Sequence, residues 1–369
     1  MSKVTELARR CILRRKEYVP GKPVEEVKRE LGLNDIIKMA SNENPLGTSP
    51  LALAAMVAEL QENANRYPEG LCPDLRRKLA EVHHLTPEHL LIENGEDGAI
   101  TILGLTFVNP GDEVLMGQVT FSAYENMADK MDAVCVKVPL TLDYRLDVDG
   151  FLSAITPRTK MLFLCNPNNP TGTINTQDEF DRLIKQTPRT VLLVIDEAYH
   201  DFADDPAYPQ TIPYLRDHPN LVILRTFSKI TGLAGLRVGY AIAQPEVTKL
   251  MLKAREPFPV NRIAQAGALA SLDDADFVRR TLEVNRKGRE QFYHAFDEMR
   301  LKYCRSQANF IFVDLGRPVE PVFEALLREG VIVRPLTSFG LPNGMRISVG
   351  REEENGRTIA ALKKVLAQV

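Results

Sequence analysis

The chain has 369 residues, 44% hydrophobic and 26% charged, a composition typical of a soluble globular protein and long enough for about two domains. Its formal net charge of −3 provides no overall field that would attract nucleic acid or an anionic membrane, and no apolar run reaches the length of a membrane-spanning helix. The five cysteines are dispersed without a C-x-x-C pair, which predicts reduced thiols in a cytoplasmic protein.

The first two predicted units are an N-terminal arm and a large domain. Residues 1–45 form the arm, in which Pro20 and Pro23 interrupt any helix. Residues 46–265 alternate short apolar runs with amphipathic stretches, the rhythm of βαβ units. The apolar runs resemble strands buried on both faces of a parallel sheet; they include 114–116, 133–138, 161–165, 191–195, 221–224 and 238–243. The pattern predicts an α/β fold with a mostly parallel, doubly wound sheet.

The last predicted unit, residues 266–369, has a different pattern. A long charged helical stretch leads to strand candidates at 308–313, 331–333 and 345–349, and a closing helix is expected over 353–369. This succession predicts a smaller α+β domain, which the N-terminal arm would join.

A lysine with phosphate-binding neighbours follows the apolar run 221–224. Thr226 and Ser228 can donate to phosphate oxygens, and Arg237 can pair with a phosphate as a planar fork. Lys229 must be close to deprotonated to attack a carbonyl, and nearby cations would help to lower its pKa. The pattern indicates an amine that forms an imine beside a bound phosphate. The alternative is a surface lysine at a strand end.

Polar residues also follow two other buried runs. Asp196 would lie at the carboxyl end of a strand, where open sheets bind ligands, and could keep the ring nitrogen of pyridoxal 5'-phosphate (PLP) protonated. Its alternative role is a helix N-cap. Tyr199 and Asn169 could each hydrogen-bond the ring's phenolic oxygen, and a cis bond before Pro170, or before Pro167, is possible. With Lys229, these residues predict a PLP site.

Five further candidate residues also have structural explanations. Asp97 and Gly98 open a helical stretch whose bare N–H groups could bind an anion, although simple capping explains them as well. Phe121 is either a cover for the cofactor ring or a core side chain. Arg334 and Arg346 lie on neighbouring strand candidates and would hold a substrate anion or form surface salt bridges. The six histidines lack metal-ligand spacing, so no metal site is predicted.

The ordered set of polar residues resembles the fold-type-I PLP aminotransferases. The set comprises Asn169, Asp196, Tyr199, Ser228, Lys229 and Arg237. Further matching segments are similar to the histidinol-phosphate aminotransferases of that family and cover nearly the whole chain; they are 40–47, 65–68, 233–240, 260–265 and 345–350.

The resemblance implies PLP-dependent transamination of histidinol phosphate with 2-oxoglutarate or glutamate, in histidine biosynthesis. Lys229 would be the Schiff-base lysine and the proton shuttle. The family forms homodimers with active sites at the interface, where Tyr67 would reach the neighbour's cofactor phosphate. Tyr18 and Asn44, like Asn169, would contact the substrate, whose phosphate Arg334 and Arg346 would hold. These assignments rest on the resemblance.

Three positions depart from the family pattern. Glu96 replaces a small residue in the phosphate cup and would repel a dianion unless its side chain points outward. Phe121 replaces a common tyrosine, and Arg351 adds a cation near the mouth of the site.

Two other activities on the same scaffold stay open. One is an aromatic amino acid aminotransferase, since an arginine site accepts either a phosphate or a carboxylate. The other is a threonine-phosphate decarboxylase.

Overall fold

The computed structural model describes residues 4–15, 22 and 24–368. The strands in chain order are β1 (Ile37–Lys38), β2 (Leu90–Asn94), β3 (Glu113–Gly117), β4 (Val134–Val138), β5 (Thr159–Cys165), β6 (Leu192–Asp196), β7 (Leu221–Thr226), β8 (Val238–Ala243), β9 (Lys302–Tyr303), β10 (Phe310–Asp314), β11 (Val331–Ile332), β12 (Arg334–Pro335) and β13 (Gly344–Ser348). The α-helices are α1 (Arg10–Leu13), α2 (Val24–Leu31), α3 (Pro50–Asn63), α4 (Pro73–His83), α5 (Gly95–Phe107), α6 (Ala123–Lys130), α7 (Val148–Ala154), α8 (Gln177–Gln186), α9 (Pro245–Ala254), α10 (Arg262–Ser271), α11 (Ala275–Glu298), α12 (Val319–Arg328) and α13 (Glu352–Leu366).

A seven-stranded sheet carries the large core, in the order β2-β8-β7-β6-β5-β3-β4. The strands from β7 to β4 are parallel, whereas β8 runs antiparallel to β7 and β2. The predicted strand 238–243 is therefore not part of the parallel set. Its side chains are nevertheless as apolar as those of the neighbouring strands. The reason is burial under helices such as α5 and α10, which contact β8, and this burial does not depend on strand direction.

The sequence analysis omitted β2, which pairs with β8 at the edge of this sheet. Its apolar run is short because Glu93 follows Ile92, and the buried Glu93 carboxylate forms an ion pair with Arg255 at 2.9 Å. Because Arg255 lies far from Glu93 in the sequence, a search for continuous apolar runs does not detect that this charge is neutralised or that β2 is a buried strand.

The second, four-stranded sheet has the order β12-β13-β10-β9 and is antiparallel. Phe292 and Phe296 of α11 pack with Ile311 and Ile347 in the core beside it. The predicted strand at 331–333 lies elsewhere: β11 pairs in parallel with β1 of the N-terminal arm. The arm therefore contacts the C-terminal part of the chain through backbone hydrogen bonds.

The position of the candidate site follows from the direction of the parallel strands. In register, Asp196 at the end of β6 lies beside Cys165 of β5 and Leu224 of β7. The three carboxyl ends therefore meet at one edge of the sheet, where open α/β sheets bind ligands. Helix α10 continues past residue 265 and adds Ala264 and Ala268 to the large core. No helix in the described ranges is long and apolar enough to cross a bilayer.

Candidate active site

A cavity of about 780 Å³ lies at the carboxyl ends of β5, β6 and β7 and faces β12 and β13. It is lined by eleven of the residues predicted from the sequence: Asp97, Phe121, Asn169, Asp196, Tyr199, Thr226, Ser228, Lys229, Arg237, Arg334 and Arg346. Gly98, Asn44 and Tyr67 are not among the lining residues, and Tyr18 lies outside the described residues. The fold thus brings most of the predicted set to one place.

Lys229 lies half-buried in this cavity, with Nζ 5.5 Å from the centre of the Tyr199 ring. Burial lowers the pKa of Lys229 to about 8, and the positive charge of Arg346 contributes to the same shift. The sequence analysis named nearby cations as a cause, but burial is the larger one. Asn44 contacts the backbone next to Lys229. Its Nδ2 donates to the carbonyl of Ile230 at 2.9 Å and so fixes the residue that follows the lysine.

Asp196 is buried and accepts two hydrogen bonds from its surroundings. The Ala198 N–H donates to Oδ1 at 3.0 Å, and the Tyr124 hydroxyl donates to Oδ2. Burial raises the pKa of Asp196, whereas these donors oppose the rise by stabilising the carboxylate. Tyr124 is held between Phe163, whose ring stacks on it at 4.3 Å, and the edge of Phe121. Sequence reasoning missed Tyr124, whose only signal is its spacing from Phe121.

Tyr199 is held by the N-terminal arm. The Asn42 Nδ2 donates to the Tyr199 hydroxyl at 3.0 Å, and the Asn42 N–H donates to Ser348 Oγ at 2.8 Å. Burial raises the pKa of Tyr199, so its hydroxyl stays protonated at neutral pH. The sequence analysis selected Asn44 from this segment, whereas the structure shows Asn42 in the cavity wall. Both are asparagines of one short motif, and the sequence alone does not show which side chain turns inward.

Two arginines of the small sheet face the same cavity. Arg334 and Arg346 are paired directly across β12 and β13. Arg346 is buried; its Nη1 donates to Asn169 Oδ1 at 2.5 Å and its Nη2 to the carbonyl of Ala40 at 2.6 Å. Because the Asn169 oxygen is occupied in this way, its amide nitrogen is the atom left to donate to a ligand. The peptide bonds before Pro167 and Pro170 are both cis.

The residues around Arg237 form a cradle suited to a phosphate. The Arg237 Nη2 lies 3.1 Å from Asp97 Oδ2, and the Thr226 hydroxyl donates to Ser228 Oγ at 2.9 Å. Gly95 has a φ of +70°, and a Cβ there would lie 2.6 Å from Arg237 Nη2, so a side chain would fill the cradle. The N–H groups of the first three residues of α5, Gly95, Glu96 and Asp97, have no acceptor within the helix and are suited to an anion, whereas the N–H of Gly98 is the first one inside the helical hydrogen-bond pattern. These donors fit the phosphate of PLP.

Four charged residues occupy positions that the sequence did not predict. Glu96 does not point outward, because its side chain is buried in the cavity wall beside Asp196. Arg14 and Arg15 of the N-terminal arm line the cavity, and Arg15 donates to Asn126 at 2.7 Å. Arg351 is not a lining residue; its Nε donates to the carbonyl of Pro45 at 2.9 Å. These positions depend on tertiary packing, for which the sequence carries no local signal.

Comparison with known proteins gives the family. A family model described as aminotransferase class I and II matches residues 34–362. The chain belongs to this family. A histidinol-phosphate aminotransferase from Moorella thermoacetica is 48% identical over 363 residues, which cover 97% of this chain and 93% of that protein. One from Symbiobacterium thermophilum is 44% identical over 360 residues, covering 98% and 99%.

Solved aminotransferases have the same fold. Histidinol-phosphate aminotransferase from Sinorhizobium meliloti in complex with PLP has a TM-score of 0.89 at 26% identity, and the match covers 100% of this chain and 98% of that chain. Aspartate aminotransferase from Thermus thermophilus with maleate has a TM-score of 0.84 at 26% identity, covering 98% and 99%. The predicted family, fold type and cofactor are thereby confirmed: this aminotransferase is a PLP-dependent enzyme with small-molecule substrates.

Proposed function

We propose that this aminotransferase transfers the amino group of histidinol phosphate to 2-oxoglutarate, forming glutamate, in histidine biosynthesis. The observation that carries the proposal is the pair Arg334 and Arg346, two guanidinium groups on adjacent strands that face the cavity. Two such groups suit a phosphate dianion, because each can donate two N–H groups in a fixed fork. The names of relatives at 42–48% identity support this choice of substrate.

The cofactor would be held by residues already described. Thr226, Ser228 and Arg237 would donate to its phosphate, together with the amide of Asp97 in the first turn of α5. Its ring would lie against Phe121, with the ring nitrogen at Asp196. Tyr199 and the amide nitrogen of Asn169 would donate to its phenolic oxygen. When bound, PLP supplies an electron sink that stabilises negative charge at the substrate's α-carbon.

Lys229 would hold the aldehyde and then carry a proton. Its pKa of about 8 leaves part of the amine neutral near neutral pH, so Nζ can accept the proton lost from the substrate's α-carbon. The ammonium form that results is tolerated in the cavity because the wall also contains carboxyl groups, among them Glu43. The lysine therefore serves both as the attachment point and as the base.

We also propose a homodimer in which Tyr67 reaches the partner's cofactor phosphate. Tyr67 is 81% exposed and stacks on the half-exposed Phe258 at 5.1 Å. Leu53, Val57 and Leu60 recur on one exposed face of α3. Exposed apolar side chains of this kind support burial against a second copy. The described cysteines, all free thiols, support the cytoplasm as the site of action.

The substrate test compares three amino compounds. The PLP-loaded protein is mixed with histidinol phosphate, phenylalanine or threonine phosphate, and the conversion of the cofactor to pyridoxamine phosphate is followed by absorbance. We expect fast conversion with histidinol phosphate and recovery of the aldehyde form on adding 2-oxoglutarate. Faster conversion with phenylalanine would instead establish an aromatic aminotransferase. Release of carbon dioxide from threonine phosphate, with the aldehyde form regenerated, would establish a decarboxylase.

A further inference from the structure

Glu96 places a second acidic side chain beside the aspartate that faces the cofactor ring. It is the second residue of α5, and only 8% of its surface is exposed. The start of α5 is fixed against β8, because a Cβ on Gly239 would lie 2.6 Å from the Glu96 amide nitrogen. The Glu96 carboxyl lies within hydrogen-bond reach of Asp196. Two ionised carboxylates in this arrangement would repel each other strongly.

The surroundings of the two carboxyls decide which one carries a proton. Asp196 accepts hydrogen bonds from Tyr124 and from the Ala198 N–H, which stabilise a carboxylate. In contrast, Glu96 Oε1 is buried and has no hydrogen-bond partner among the described residues. An unpaired oxygen is far less costly on a neutral acid than on an anion. The proton therefore belongs on Glu96, whose hydroxyl then donates to Asp196.

Other titratable groups around the pair leave this assignment unchanged. Those that face it are Asp97 on α5, Tyr124 on α6, Cys165 at the end of β5, Tyr199 after β6 and Lys229 after β7. Burial raises the pKa of both Tyr124 and Cys165, so these two stay neutral. Burial and the charge of Asp196 raise the pKa of Glu96 well above its usual range, and Asp97 adds to this shift. Lys229 opposes it with a smaller effect.

We propose that Glu96 is a positioning residue that acts as a neutral carboxylic acid at neutral pH, donating its proton to Asp196 and keeping that carboxylate ionised for the cofactor's ring nitrogen. In this form Glu96 adds no charge next to the cradle for the phosphate. When base removes the proton, Glu96 and Asp196 repel each other, and a further negative charge faces the phosphate dianion. Affinity for the phosphate-bearing cofactor then falls as the pH rises.

The test measures cofactor binding and not turnover. Pyridoxamine phosphate, which cannot form an imine with Lys229, is titrated into cofactor-free wild type, E96Q and E96A across neutral to alkaline pH. Glutamine keeps a donor to Asp196 but cannot ionise. Above the pH at which the Glu96–Asp196 pair loses its proton, we expect the dissociation constant of the wild type to rise by up to about tenfold per pH unit relative to that of E96Q. E96A should bind more weakly than E96Q at neutral pH.

Infrared spectroscopy of the folded protein gives an independent readout. The wild type should show the C=O stretch of a buried carboxylic acid at neutral pH, and E96Q should lack it. E43Q, which alters an exposed carboxyl of the same cavity, should retain it. The absence of this band in the wild type, or identical pH profiles for the wild type and E96Q, would overturn the proposal.

The inference rests on the cofactor site proposed above and not on the choice of substrate. If pyridoxamine phosphate binds but the two pH profiles coincide, only the role of Glu96 fails. If it binds none of the proteins, the cofactor site fails as well. A different substrate preference leaves the binding measurement unaffected.

Discussion

Arg334 and Arg346 lie directly opposite each other on β12 and β13, yet their surroundings differ. Arg346 is buried and donates to Asn169 and to the carbonyl of Ala40. Arg334 is half-buried, with its guanidinium 5.9 Å from the centre of the Phe339 ring. We therefore propose that their roles differ: Arg346 also orders the cavity wall, whereas Arg334 serves mainly to bind a ligand.

Replacing Arg334 tests this division. We expect R334A to raise KM for histidinol phosphate by about tenfold to a hundredfold, because a charge-assisted hydrogen bond contributes roughly 1.5–3 kcal/mol. The thermal stability should change little, since Arg334 is half-buried. R334K should recover part of the affinity, because lysine keeps the charge but loses the fork. Steady-state kinetics and melting curves measure both effects; an unchanged KM would contradict the assignment.

Asn42 and Tyr199 should act as one unit in cofactor binding. Asn42 has a φ of 54°, so N42G removes its side chain without adding backbone strain. We expect N42G and Y199F each to weaken PLP binding by roughly fivefold, equivalent to one hydrogen bond of about 1 kcal/mol. In the double variant the second change should add little. Dissociation constants from absorbance titrations of the wild type, the two single variants and the double variant complete a double-mutant cycle. Fully additive effects would show that the hydrogen bond between Asn42 and Tyr199 does not contribute to PLP binding.

The pH dependence of cofactor attachment should report Lys229. Only the neutral amine attacks an aldehyde, and the pKa of about 8 means that half of Lys229 is neutral near pH 8 and that the neutral form levels off about one pH unit above this value. Because the positive charge of Arg346 lowers this pKa, R346Q should move the rise to higher pH. Stopped-flow absorbance of PLP added to cofactor-free protein gives the rate constants. A shift to lower pH in R346Q would contradict the stated electrostatics.

The exposed apolar face of α3 should mediate self-association. We expect the double variant L53E/L60E to sediment largely as a monomer, because two charges would have to be buried in the interface. L142E is the matched control, since Leu142 is 98% exposed on a turn outside α3, and we expect this variant to stay dimeric. If L53E/L60E remains dimeric, another surface joins the subunits. Y67F should keep the dimer but weaken PLP binding.

The sequence predicted what depends on local pattern. Asp196 and Lys229 each follow a buried apolar run, and parallel strands end at a common edge, so their convergence could be foreseen. Arg334 and Arg346 were expected on neighbouring strands that face one cleft, but the predicted strand 331–333 pairs with β1, and Arg334 lies on the next short strand, β12. For Asp196 and Lys229, a short segment around each residue contains the signal.

The features that the sequence left open depend on contacts between distant segments. Glu96 turns inward because the start of α5 packs on β8 at Gly239, a residue far along the chain. Asn42 was missed because its partners, Tyr199 and Ser348, come from two other parts of the fold. Tyr124 of α6 donates to Asp196 at the end of β6, which lies 72 residues further along the chain. No local propensity encodes these contacts.

The attachment of PLP to Lys229 is the central claim, and one measurement tests it most directly. Borohydride reduction of the active, PLP-loaded protein fixes the carbon–nitrogen bond, and peptide mapping then locates the modified residue. The account predicts one pyridoxyl group per chain, on Nζ of Lys229, and none in K229A. A modified peptide elsewhere in the chain, or an active protein without any pyridoxyl-lysine, would contradict it.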